Sequence, residues 1–103
     1  MGIYINPQNM QKEDFLTKFG KQISEEEFKD WKFVKNQEDI PVCLIQNPYF
    51  TAAAVAYDKQ EVEDCTYYSD TRPKEFYLVN KELLLTSNVL EPRDIDFLRR
   101  ENV

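Results

Sequence analysis

Two short stretches hold most of the side chains that could bind or react. The first is acidic: Glu61, Glu63 and Asp64, flanked by Asp58 and Asp70. Carboxylates gathered in this way can imitate DNA phosphates or dock on a basic protein surface. Cap chemistry accounts for part of the run more plainly. Asp58 and Glu61 have the spacing of a capping box, with Tyr57 and Val62 at the hydrophobic staple positions. The run lacks the alternating oxygen ligands and central glycine of a calcium loop. The second stretch is Tyr67-Tyr68-Ser69-Asp70-Thr71-Arg72-Pro73-Lys74. Tyrosines beside Arg and Lys have the composition of a recognition surface, where Tyr and Arg often dominate binding energy. Its plainer reading is a structured loop, with Asp70 in an Asx-turn, Arg72 paired to Asp70, and Pro73 leading into a strand. The candidate partner-binding residues are therefore Tyr67, Tyr68, Asp70, Arg72, Lys74, Glu61, Glu63 and Asp64.

Catalysis has less to work with. The chain has no histidine, which removes His bases, His triads and His metal ligands. Its two glycines, Gly2 and Gly20, cannot build a phosphate-cradling loop. Cys43 sits in the apolar run Pro41–Ile45 and Cys65 on a predicted helix. Without short spacing, the pair reads as buried, reduced thiols rather than a disulfide or a four-ligand zinc site. Acidic residues precede Cys65, and negative charge raises a thiol pKa, so an inert thiol is expected there. The expectation is a protein that is not an enzyme and that uses no metal or cofactor.

Charge and hydropathy narrow the partners. The chain carries 13 basic and 19 acidic residues, a net charge of −6. The acidic excess concentrates in residues 41–71. Direct nucleic-acid binding is disfavoured, because phosphate neutralisation by a basic face supplies most non-specific affinity. The longest apolar runs, Ala52–Tyr57 and Leu83–Leu85, fall far below the roughly 18 residues that span a bilayer. The opening residues, MGIYINP, lack a basic, apolar secretory leader. A cytoplasmic protein is expected, with no membrane association.

The elements that must position these residues can be read from periodicity and punctuation. The 103 residues fit a single domain, 1–103, with no repeat or linker. Ile3–Ile5 reads as a short strand closed by Asn6-Pro7. Asn9 can cap a helix from about Met10 to Phe19, and Gly20 can stop it in a left-handed conformation. Ser24 and Glu27 form a capping box, stapled by Ile23 and Phe28, for a helix running to about Trp31 or Phe33. Phe28, Trp31 and Phe33 read as core. Pro41–Ile45 and Phe50–Tyr57 read as a hairpin joined by Gln46-Asn47-Pro48-Tyr49, the second strand being central and alanine-rich. A helix to about Tyr67, an irregular segment from Tyr68 to Lys74, a strand Glu75–Val79 and a short helix Lys81–Leu85 follow. Pro92 opens a last helix to Arg100, with Arg99 and Arg100 complementing its dipole. The predicted fold is α+β: three or four strands in a mixed or antiparallel sheet packed with helices.

Several of these segments together resemble a known group. They are Met1-Gly2-Ile3-Tyr4-Ile5-Asn6-Pro7, Lys12-Glu13-Asp14-Phe15-Leu16, the Phe50 to Tyr57 strand, and Asp70-Thr71-Arg72-Pro73-Lys74. Over residues 1–80 the chain resembles small accessory proteins carried by phages, prophages and plasmids. The resemblance implies an accessory protein of a mobile element, acting on a host factor. Together with the residues, it gives the first expectation: a non-enzymatic protein that binds a protein partner. The alternative is a small ligand-binding domain or enzyme, with a pocket beside the Ala-rich strand 50–57.

Overall fold

The chain alternates short strands and helices. A computed structural model describes residues 3–7, 9–31, 38–56, 59–67 and 72–101, with the side chains of Thr66, Tyr67 and Glu101 excepted. In chain order the elements are β1 (Ile3–Ile5), α1 (Lys12–Phe19), β2 (Gly20–Ile23), α2 (Glu25–Lys29), β3 (Asp39–Gln46), β4 (Thr51–Val55), α3 (Lys59–Tyr67), β5 (Arg72–Asn80), α4 (Lys81–Thr86) and α5 (Pro92–Glu101). The strands form one antiparallel sheet in the order β1-β4-β3-β5-β2. The α+β class and single domain stand, with five strands where three or four were expected.

The additional strand is β2. Gly20 was expected to end α1 in a left-handed conformation, but its φ of −108° and ψ of 153° are extended. Glycine is needed there for a close approach instead. A Cβ at position 20 would lie 2.6 Å from the Leu16 carbonyl oxygen and 3.3 Å from Tyr77 and Val79 side-chain carbons. The helix therefore turns straight into a strand that pairs with β5 from Gly20↔Val79 to Ile23↔Phe76. The start of α1 also differs from expectation. It begins at Lys12 after Gln11, which makes no side-chain cap bond. Asn9 instead takes a positive φ of 60° in the preceding loop, a conformation its short polar side chain tolerates.

Helices cover both faces of the sheet. On one face α1, α4 and α5 bury Phe15, Leu16, Leu84 and Leu98 against Ile5, Val42, Leu44, Val55 and Val79. On the other, α2 and α3 bury Phe28, Val62 and Cys65 against Cys43, Ile45, Ala54 and Phe76. This arrangement explains why β3 reads as a continuous apolar run. It is the central strand, flanked by β4 and β5, and Ile40 through Ile45 are all buried. Strands covered on both faces lose the apolar–polar alternation of half-exposed ones. The Ala-rich strand β4 lies beside it, not at the centre as expected.

Pro41 lies in this central strand, where a missing N–H would normally break a ladder. Its carbonyl accepts from the Ala56 N–H at 3.1 Å, just past the end of β4. A strand residue directs its N and C=O to the same side, so the absent donor faces the end of the β4 ladder and not β5.

The N-cap half of the expected capping box forms: the Ser24 hydroxyl accepts from the Glu27 N–H at 3.1 Å, while the Glu27 carboxylate accepts from that hydroxyl at 3.4 Å and not from the Ser24 N–H. The helix is shorter than expected, ending at Lys29, with Trp31 half-buried beyond it. Phe28 is fully buried with its ring centroid 4.8 Å from that of Phe76. Phe33, and the Tyr57 and Asp58 of the second capping box, lie outside the described residues. Among the described residues, no helix is long and apolar enough to cross a membrane.

Candidate functional site

The described candidate residues do not form one surface. Glu61, Glu63 and Asp64 lie on α3, over the face that carries Cys43 and Phe76. Asp64 is exposed and accepts from the Gln60 side-chain amide at 3.0 Å, one turn away. Tyr68 and Asp70, and the side chain of Tyr67, lie outside the described residues. Arg72 and Lys74 belong to β5, not to an irregular loop. The strand starts at Arg72 because its ladder with β3 continues past Glu75 through a bulge.

That bulge decides where the two cations point. Leu44 pairs with Glu75 and Ile45 with Pro73, so Lys74 has no partner across the ladder. An extra residue shifts the alternation of side chains beyond it. Lys74 is thereby aimed at the α1 face, where its ammonium lies 3.6 Å from the Glu13 carboxylate. Arg72 pairs with Gln46, which pairs with Thr51, so the three residues form a row across β5, β3 and β4. At strand spacing, Thr51 and Arg72 stand about 10 Å apart.

The hairpin between β3 and β4 adds what sequence reading missed. The Asn47 side-chain oxygen accepts from the N–H groups of Tyr49 (2.8 Å) and Phe50 (2.9 Å), and the Asn47 N–H donates to the Phe50 carbonyl at 3.0 Å. The turn is therefore fixed by its own first residue. It holds Tyr49 93% and Phe50 51% exposed. The available signal was two aromatic side chains placed directly after an Asn-Pro turn, where polar residues are usual.

Beside the hairpin, an open groove of about 1030 Å³ runs along Asn6, Asn9, Met10, Lys12, Glu13 and Thr51. The Lys12 ammonium closes one side by donating to the Thr51 carbonyl at 3.0 Å. Below α1, the buried Tyr77 hydroxyl donates to the Glu75 carboxylate. Burial is the main cause that pushes this phenol up to about 12, with the hydrogen bond and charge of Glu75 adding to it. A phenol held neutral in this way is a positioned donor, not a nucleophile. Among its described residues, the Ala-rich strand contributes to the groove only through Thr51, and Ala52, Ala53, Ala54 and Ala56 are buried.

The two cysteines are both free and buried, and the fold brings them together. Cys43 faces α3 from the central strand and Cys65 faces the sheet from α3, so both thiols sit in one buried cluster, close enough for each to shift the other's pKa. The neighbouring Cys65 and burial raise the Cys43 thiol. Cys43 in turn lowers Cys65, outweighing burial and the charges of Glu61 and Asp64, which raise it. The acidic neighbours act as sequence predicted, but a thiol 22 positions away overrides them. Among the described residues, no three Cys, Asp or Glu side chains gather as a metal site. No family model, curated protein or solved structure matches the chain.

Proposed function

We propose that the chain is a non-enzymatic accessory protein that binds a protein partner through the β3–β4 end of its sheet. The observation that carries this reading is the hairpin tip. Tyr49 and Phe50 are kept in water by a turn that Asn47 locks. Exposing two rings costs solubility, and a fixed turn lowers the entropy lost when they are buried by a partner. Arg72 stands across the neighbouring strands from them, which completes the aromatic-plus-arginine composition of an interface hot spot. A cytoplasmic setting and an origin in a mobile element, with a host factor as partner, belong to the same proposal. The acidic face of α3 then serves to steer a basic partner or simply to solvate the helix.

The test is capture from host lysate on immobilised protein, with the wild type beside Tyr49→Ala/Phe50→Ala and Arg72→Ala variants. The expected result is a partner recovered by the wild type and lost with the double variant, whose thermal unfolding stays unchanged. Equal recovery by all three proteins overturns this surface as the interface. The groove along Lys12 and Glu13 favours one second reading, a small polar ligand. A thermal-shift screen against metabolites and nucleotides decides that reading, because a ligand binding only the folded state raises its stability.

A further inference from the structure

We infer that Cys43 and Cys65 form a dithiol site that a hydroperoxide converts to an intramolecular disulfide, fastening α3 to the central strand. The geometry comes from packing. Cys43 lies on β3 with Ala54 and Phe76 as its register partners on either side. The small Ala54 belongs to the same buried cluster. On α3, Cys65 follows Val62 by one turn, and both side chains point into the same buried cluster as Cys43. Residues three apart share a helix face, so the packing that buries Val62 also carries Cys65 onto Cys43. The two thiols share this buried cluster and are not joined.

The two sulfurs are not equivalent. Cys43 is fully buried, whereas Cys65 retains 6% exposure at the edge of the cluster. The neighbouring Cys43 also lowers the Cys65 pKa and so favours its thiolate, and the thiolate is the form that reacts with peroxide. Cys65 is therefore the attacking thiol and Cys43 the resolving one. In the first step the Cys65 sulfur attacks one oxygen of hydrogen peroxide and the O–O bond breaks. The departing oxygen takes up the thiol proton and leaves as water, with Cys65 now a sulfenic acid. In the second step the Cys43 sulfur attacks that sulfur, and the S–O bond breaks. The hydroxyl leaves with the Cys43 proton as a second water. The two thiols lose two electrons in total, and the peroxide takes up both.

The experiment treats the reduced full-length chain with hydrogen peroxide and reads intact mass, thiol alkylation after denaturation, and peptide mapping. The expected result is a monomer lighter by two hydrogens, with both thiols blocked together, a Cys43–Cys65 linked peptide, and full reversal by dithiothreitol. In a Cys43→Ala variant, Cys65 should stop at the sulfenic acid and be trapped by dimedone. In Cys65→Ala, Cys43 should react at least ten-fold more slowly than the wild-type pair. The linked peptide is read on the wild type, so a variant that fails to fold does not remove the test. Oxidation that leaves both thiols alkylatable, links only separate chains, or adds oxygens to one cysteine without joining the pair overturns the inference.

Discussion

Replacing Gly20 by Ala tests how α1 is seated, and through α1 the position of Lys12 and Glu13 beside the hairpin. The added Cβ would meet the Leu16 carbonyl oxygen at 2.6 Å, closer than carbon and oxygen can remain. That oxygen is backbone and accepts from the Gly20 N–H, so it cannot swing away. Tyr77 and Val79 carbons at 3.3 Å close the other side. Overpacking of this kind costs about 1–3 kcal/mol. Alanine restricts the unfolded chain and accepts the extended backbone of this site, which returns about 0.4–1 kcal/mol. The net expectation is a loss of about 1–2 kcal/mol, lowering Tm by about 4–16 °C for a domain of this size. Urea unfolding followed by circular dichroism reads it as a lower midpoint with an unchanged slope. Gly20→Asn separates this account from a left-handed helix stop. A left-handed site tolerates Asn better than Ala, whereas the close approach makes Asn at least as costly. An Ala variant as stable as the wild type, or an Asn variant more stable than Ala, refutes the reasoning.

Three further outcomes follow from the geometry. Asn47→Ala removes the acceptor that holds the Tyr49 and Phe50 N–H groups; it should weaken partner capture while both rings remain, measured by binding against the wild type at matched thermal stability. Tyr77, raised to about 12 by burial and Glu75, favours its neutral form in the fold, so its stabilisation is complete below about pH 10 and fades as pH rises toward 12. Comparing wild type with Tyr77→Phe across that window in chemical unfolding should show the difference between them narrowing. Changing Glu63 to Gln and Asp64 to Asn keeps shape and removes charge; stability should stay within about 0.5 kcal/mol, and if the acidic face steers a basic partner, the on-rate and its salt dependence should both fall in a kinetic binding assay.

Elements whose determinants lie within a few residues were legible in the sequence. Ser24 and Glu27 carry both halves of a capping box, and the helix begins where they place it. Pro92 likewise opens α5. The hairpin β3–β4 was legible because two apolar runs flank a turn of Asn and Pro. By contrast, β2 has one buried residue in four, and its ladder partner lies more than 50 positions away on β5. Nothing local marks it as a strand. Arg72 and Lys74 were read as loop for the same reason, since only the pairing of Pro73 with Ile45 and Arg72 with Gln46 extends β5 past the bulge at Lys74.

The candidate surface shows the same division between local and distant causes. Arg72 and Lys74 were identifiable by type, but their direction depends on a bulge that is a property of two paired strands. Tyr49 and Phe50 were visible as residues, yet their exposure follows from Asn47 holding the turn against solvent. Cys43 and Cys65 extend the argument to chemistry. Strand alternation points Cys43 to one face, and helical spacing places Cys65 with Val62 toward the same face. Each periodicity was readable alone. What the sequence did not specify was that α3 crosses the sheet at Cys43, and that crossing turns two ordinary buried thiols into a pair that can react with each other.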